Sequence, residues 1–304
     1  MRLLLTIPHY FNPSSTGQSA DGREHGSVAK DPQPRIDALS TCIVSAHQLF
    51  NQAQCLLDHE VKAARTLTQK HPYQLDIVIC TTRGKHLLAD LPIPKQFFSD
   101  HATEGEPMLL GYDCHTVLHD RLGSYDYYGY LEDDLILHDP WFFHKLSWFC
   151  KWAGDDKLLQ PNRYEVGPHH LLQKAYLDGR LALRCTEKYQ NIQDSPELTA
   201  DILGVNVRFN RTPNPHSGCF FLNARQMEHW VKQPYFLDRE WGFIGPLESA
   251  ASLGIQRAFK VYKPAFENAD FLEIQHYGKE YLSMICREDG SDKASSERET
   301  ASQR

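Results

Sequence analysis

The sequence predicts an α/β protein: an open, twisted, mostly parallel sheet with helices on both faces. Three observations carry this reading. Short apolar runs recur along the first half, RLLLTIP (2–8), LDIVICTT (75–82) and the aromatic SYDYYGYLEDD (124–134), each bounded by polar or turn residues. Strands buried on both faces read as such unbroken runs, unlike the alternating pattern of a half-exposed sheet. Amphipathic stretches separate them, so the order is β-α-β-α, the rhythm of a parallel sheet with crossover helices.

The elements follow in order. After the first strand, residues 12–34 are rich in Ser, Gly, Pro and Asp. That predicts a loop over a site, ordered by ligand. From Arg35 to about Gln69, apolar residues from Ile36 to Ala64 recur at spacings of three and four, predicting one long amphipathic helix. The strand 75–82 follows, then a weaker third strand at KQFF (95–98) and a helix over 107–123 with Pro107 at its start and Gly123 after its end. Asp139-Pro140 opens a further helix, 141–154, behind the strand 124–134. These first 155 residues have the organisation of a nucleotide-binding half. Over 156–286 the rhythm changes: a strand at 158–166, helix and insertion over 167–200, a strand turning into a helix over 218–233 with Asn223 as cap, a helix at 245–255 opened by Pro246, and strands at 257–264 and 272–278. Residues 287–304 contain no large apolar side chain, which predicts a disordered tail.

Composition narrows the function classes. Hydrophobic residues at 41% and charged residues at 23% of 304 describe a globular chain, and no apolar run approaches the roughly 20 residues of a bilayer span. With 39 acids against 32 bases the net charge is −7, which argues against a nucleic-acid partner. The eight cysteines include no C-x-x-C, so free buried thiols are expected rather than a zinc ribbon or a disulfide framework. The opening MRLLLTIPHYF is too short for a secretory apolar region, and the expected location is cytoplasmic. His115 and His119, four apart on a helix, have zinc-ligand spacing but lack the acid of H-E-x-x-H. Neither G-x-G-x-x-G nor a Walker A sequence occurs, which counts against dinucleotide dehydrogenases and P-loop NTPases.

Glu132, Asp133 and Asp134 carry most of the functional information. They follow a strand and precede a capped helix, and in an open α/β sheet ligands bind beyond the carboxyl ends of the strands. Three adjacent carboxylates repel one another and favour a hard cation, Mg²⁺ or Mn²⁺, held by one or two acids plus substrate phosphates. An acidic turn welcomed by the following helix N-terminus is the other reading of the same residues.

The segment YLEDDLILHDPWFFHKL (130–146) resembles the signature of GT-A-fold glycosyltransferases, most closely the family of N-acetylglucosaminyltransferase I. The resemblance is specific over about these 17 residues and compatible with the strand order over 1–155. It implies a Rossmann-like GT-A sheet and a transferase that moves a sugar from a nucleotide diphosphate sugar, UDP-linked by preference, to a glycan or other hydroxyl acceptor with inversion. By position, Asp134 becomes the ligand of Mn²⁺ or Mg²⁺, and Glu132 and Asp133 face the nucleotide sugar. The same resemblance assigns nucleoside contacts to Thr6, Pro8, His9 and Tyr10 after the first strand, and to Thr81, Thr82 and Arg83 after the second. Arg83 has the donor fork for a phosphate, and equally the chemistry of a plain surface arginine. The catalytic base falls to Glu248, with Asp238 and Glu240 as rivals; a first-turn glutamate favouring the helix dipole is the alternative. His276 is the counterpart of a late histidine that returns to the metal, or else a structural histidine. Trp241, Tyr164 and Trp230 are either sugar-stacking or core aromatics. Two other functions use the same acids: a metal-dependent phosphohydrolase or nucleotidyltransferase, and a noncatalytic sugar-binding protein.

Overall fold

The computed structural model describes residues 1–14, 26–51, 54–67, 73–169, 172–179 and 181–285. Residues 15–25 of the 12–34 loop and the whole 287–304 tail lie outside the described residues.

Strand β1 (Arg2–Pro8) leads to helix α1 (Gln33–Phe50), which opens on Pro34 and ends where Asn51 turns extended. The helix predicted over 35–69 is therefore cut at Phe50. Beyond it, β2 (Cys55–Asp58) and β3 (Ala63–Thr66) form a separate hairpin. Asp58 accepts from the backbone of Glu60 and Val61 to shape its turn, and Leu56, Leu57 and Val61 stay exposed. The apolar spacing ran on through a segment that never meets the core, so periodicity alone gave the wrong element there.

Strand β4 (Gln74–Thr82) follows. KQFF is not a strand: Pro94 starts a 3-10 turn over Lys95–Phe97, and the strand is the next segment, β5 (Ser99–Thr103). As an edge strand with exposed polar residues, β5 lacks the apolar run that marks a central one. Helix α2 (Leu110–Asp120), β6 (Tyr127–Leu131), the short β7 (Leu135–Ile136) and α3 (Phe142–Ala153) complete the first half. The Asp139 carboxylate accepts from Trp141 N at 2.7 Å ahead of α3. In the second half the strand predicted at 158–166 divides at Gln160-Pro161 into β8 (Lys157–Leu159) and β9 (Asn162–His169). The helix expected within 167–200 is replaced by β10 (Leu172–Tyr176), a 3-10 turn and β11 (Glu197–Ile202), which pairs with β12 (Val205–Arg211). Then come β13 (Cys219–Asn223), α4 (Ala224–Val231), α5 (Pro246–Ala258), β14 (Lys260–Pro264), β15 (Glu273–His276) and α6 (Glu280–Ile285). Asn223 caps α4 in a reciprocal capping box with Gln226.

The main sheet has the order β13-β6-β1-β4-β5, with β6, β1, β4 and β5 parallel and β13 antiparallel at one edge. Alternation explains its two covered faces. Leu3, Leu5 and Ile7 of β1 pack with Ile77 and Ile79 of β4 against α1 and α3, while Leu4, Val78 and Cys80 turn to α2, α4 and α5. Two four-stranded sheets, β10-β9-β15-β7 and β11-β12-β14-β8, complete the mixed α/β architecture. No helix among the described residues is long and apolar enough to cross a membrane.

The chain leaves β1 for β4 and β5 on one side and then returns for β6 on the other. That reversal creates a crevice beyond the carboxyl ends of β1 and β6. His9 follows β1, and Glu132, Asp133 and Asp134 follow β6, so all four stand at this switch point.

Candidate functional site

Three consecutive acids meet three different surroundings. Asp133 turns inward and is buried. His9 Nδ1 lies 2.6 Å from its Oδ2, and Arg35, from the first turns of α1, pairs with its Oδ1. Leu87 N donates to His9 Nε2 at 3.2 Å, so the hydrogen-bond network assigns the ring proton to Nδ1, facing Asp133. Burial raises the Asp133 carboxyl, but Arg35 and His9 outweigh it and hold the group well below the usual carboxylate range.

Asp134 looks across the crevice. Its carbonyl accepts from Tyr277 N at 2.7 Å, which ties the turn after β6 to the end of β15. Oδ2 lies 3.3 Å from Arg35 Nη1 and 3.6 Å from His276 Nε2, while Oδ1 is buried without a partner. His276 is aimed by Glu165, whose Oε1 sits 2.9 Å from Nδ1. Glu165 in turn accepts from the backbone of Tyr281 and Leu282 at 3.2 and 2.8 Å, so it also anchors α6. Burial draws the imidazole pKa down, yet Asp134 and Glu165 reverse that and leave it raised.

This pair fits a hard cation bound in part by something else. Among the described residues no group of three or more His, Cys, Asp or Glu side chains gathers as a metal cage. Asp134 and His276 supply two donors, one a sealed carboxylate oxygen with nothing bonded to it, and Glu165 orients the imidazole from its far nitrogen as supporting carboxylates do around metals. Mg²⁺ and Mn²⁺ sites of this kind take their remaining ligands from water and phosphate.

Glu132 donates its backbone N–H to Gly218 O at 3.0 Å, and its carboxyl, at the crevice, has no hydrogen bond or ion pair with the other described residues. Burial, then the charges of Asp134 and Glu248, push its carboxyl up to about 8, against the pull of Arg163 and His276. Gly218 makes room for it: at φ +63° its backbone suits glycine, and a Cβ there would stand 2.4 Å from Glu132 Oε2. Glu248, half-buried in the first turn of α5, is close enough to repel Glu132 and has no partner of its own among the described residues. Behind Glu132, Arg163 Nε and Lys263 Nζ converge on Asp178 at 2.9 and 2.7 Å. Burial raises Asp178, but Arg163 and Lys263 bring it down to about 2. Lys263 also donates to His216 O at 2.5 Å, and His216 Nδ1 lies 2.9 Å from Ser252 Oγ.

The crevice thus brings together His9, Glu132, Asp133, Asp134, His276 and Glu248 from the sequence reading. The other positions are engaged elsewhere. Thr6 donates to Gly129 O at 3.1 Å inside the sheet, Pro8 is half-buried in register with Cys80, and Tyr10 OH accepts from Asn12 Nδ2 at 3.3 Å. Thr81 donates to Asp100 at 2.9 Å and Thr82 to Gly105 O at 2.8 Å. Arg83 is exposed and paired with Glu106. Asp238 and Glu240 both hold Arg257, each at 2.9 Å. His115 is buried against Ala250 O, with burial lowering it to about 4, while His119 is exposed beside Asp120. The seven described cysteines are free, as expected, but only Cys42, Cys80, Cys114 and Cys219 are buried; Cys150 and Cys185 are half-buried and Cys55, in the hairpin away from the core, is exposed. Trp230 and Tyr164 are buried, whereas Trp241 is 59% exposed. A cavity of about 490 Å³, lined by Arg2, Tyr73, Gln74, Asp76 and Tyr125 among others, opens at the amino end of the sheet, away from these acids.

Sequence reasoning missed Arg35, Arg163, Glu165 and Asp178. One signal was present for two of them: Arg163 and Glu165 stand two apart in NRYEV, hence on one face of a strand, where paired charges need a reason. No family model matches the chain, and no curated protein does.

Proposed function

We propose that the chain is a divalent-metal-dependent glycosyltransferase of GT-A type, transferring a sugar from a nucleotide diphosphate sugar, UDP-linked by preference, to a hydroxyl acceptor with inversion. The observation that carries the reading is the meeting of Asp134 and His276 at the switch point, with Asp134 Oδ1 buried and unbonded and His276 aimed by Glu165. A Mn²⁺ or Mg²⁺ ion held there supplies charge neutralisation for a leaving diphosphate. Around it the residues divide the work. Arg35 and His9 lock Asp133, which fixes the turn that presents Asp134. Glu132, whose carboxyl burial and the Asp134 charge push up, faces the sugar from the same turn. Glu248 accepts the proton of the attacking hydroxyl: it is the unpartnered acid on the crevice, whereas Asp238 and Glu240 are spent on Arg257.

Incubation with a panel of nucleotide sugars and Mn²⁺ tests this reading. Slow, metal-dependent hydrolysis of one donor and transfer to an added acceptor are expected. Release of phosphate from simple esters would move the assignment to a phosphohydrolase, and saturable binding without turnover to a sugar-binding protein.

A further inference from the structure

The loop between α4 and α5 places three left-handed backbones close together: Leu237 at φ +60°, Arg239 at +55° and Ile244 at +60°, none of them glycine. A β-branched residue in that region is an outlier, and such strain persists only where the surroundings fix it. Here they do so at almost every position. Arg257 takes Asp238 and Glu240 at 2.9 Å each, Arg239 pairs with Asp113 at 3.0 Å, and Tyr112 OH donates to Glu240 O. Phe243 is buried, and its backbone N–H and C=O both bond to Ser249 Oγ, on the residue after Glu248. The large apolar side chains that this frame leaves outside are Trp241, 59% exposed, and Ile244, 51% exposed. That exposure removes the core reading of Trp241. Glu248 lies at the end of the same loop: its carboxylate folds back over Gly245, beside Ile244, where a Cβ would stand 2.8 Å from Oε2.

We infer that Trp241 is the platform of the acceptor subsite, stacking on the apolar face of a neutral sugar ring with Ile244 at its edge. The word acceptor rests on the transferase reading; the sugar platform does not. The loop has the chemistry for this occupant. Its apolar part is two side chains wide, far short of the roughly 800 Å² per partner of a stable protein interface, and suits a single ring. The charges around it nearly cancel, Asp113, Asp238, Glu240 and Glu248 against Lys188, Arg239 and Arg257, so neither an anion nor an anionic membrane is favoured. A pyranose offers one face of C–H groups to an indole and carries hydroxyls at its rim, the group whose proton Glu248 is assigned to take. The strain then has a use, because a loop fixed in advance presents the indole before the sugar arrives. A uracil ring would stack on the same indole, so the test reads UDP separately.

Methyl glycosides of glucose, galactose, mannose and N-acetylglucosamine are titrated into the full chain, alone and with UDP and Mn²⁺, and followed by tryptophan fluorescence and calorimetry. At least one glycoside should saturate and shift the emission to the blue as an indole leaves water. Trp241→Phe should lose that shift although the other tryptophans remain. Affinity for the same glycoside should fall about tenfold in Trp241→Ala and be largely restored in Trp241→Phe, whose ring still stacks. UDP affinity should be equal in all three chains. Because Trp241 is exposed, neither variant threatens the fold. No shift with any glycoside, a shift that survives in Trp241→Phe, or unchanged glycoside affinity in Trp241→Ala overturns the inference. A loss of UDP affinity in Trp241→Ala assigns the indole to the nucleotide and overturns it as well. If UDP with Mn²⁺ does not bind the wild type, the transferase reading falls, and the glycoside titration of the chain alone still decides the platform.

Discussion

On the wall of the crevice built by β1 and β6, Asp133 is answered on both oxygens, by His9 on one and Arg35 on the other. On the wall built by β9 and β15, Asp178 serves both Arg163 and Lys263, while in the turn after β6 Asp134 Oδ1 is buried with no partner among the described residues. The same residue types occupy both walls. What differs is whether the surrounding backbone closes the network or leaves it open. A closed network of buried charges holds geometry, since each group has its partner before any ligand arrives. An open one stores a demand for a ligand, because a buried donor or acceptor without a partner costs free energy until something fills it. Glu132 and Asp133 make the contrast at neighbouring positions: one carboxyl is pushed up to about 8 and the other is held well below its usual range. The alternation of a strand end turns one toward the crevice and the other toward the sheet.

The largest effect expected is at the open network. Asp134→Ala should eliminate metal-dependent UDP binding in calorimetry without lowering the melting temperature, because removing one of three adjacent carboxylates relieves repulsion. Undiminished metal-dependent affinity would break the comparison, since Asp134 would then belong with Asp133 as a structural acid.

Glu248→Gln comes next. If Glu248 takes the acceptor proton, turnover should fall roughly 10²–10⁴-fold with UDP affinity retained. A glutamate that merely favours the α5 dipole predicts instead a loss of about 0.3–1 kcal/mol in stability with rate preserved. Both quantities are read from one variant.

Asp178 tests the closed part of the second wall. Asp178→Ala leaves Arg163 and Lys263 buried together without an anion, and denaturant unfolding at pH 7 should show a loss of about 3–5 kcal/mol. The sign with pH follows from a folded value of about 2 against an unfolded value near the ordinary one: Asp178 stabilises fully above the unfolded pKa, and that contribution disappears as pH falls toward 2. The gap between wild type and variant should therefore narrow between about pH 4 and pH 2. A gap independent of pH there would mean that the ion pair is not its source.

The smallest effect sharpens the picture around Glu132. Gly218→Ala forces a Cβ toward its carboxyl from a left-handed backbone, and a loss of about 1–2 kcal/mol is expected. A melting curve identical to wild type would show that Glu132 moves aside freely and is not held by its cradle.

Much of the frame was legible beforehand. The runs 2–8, 75–82 and 124–134 read as central strands because burial on both faces leaves no polar alternation, the last being trimmed to 127–131 in the fold, and Asp139-Pro140 ahead of α3 carried a local signal at fixed spacing. Where a segment's partner was distant, local pattern misled. The 35–69 helix overran because nothing in the spacing says that the hairpin β2–β3 leaves the core, and 167–200 hid strands whose partners come later in the chain.

The sequence by itself determined that strands would be buried on both faces, that acids would cluster after the aromatic strand and that no basic surface would dominate. These are consequences of residue type and of periodicities spanning a few positions. The tertiary structure alone decided which acid is answered and which is left open. His9 reaches Asp133 across 124 residues, His276 reaches Glu165 across 111, and Lys263 reaches Asp178 across 85. Partners at such separations are chosen by the order in which strands enter their sheets. That order sets whether a buried charge finds an opposite charge or faces an empty crevice, and no local propensity records it.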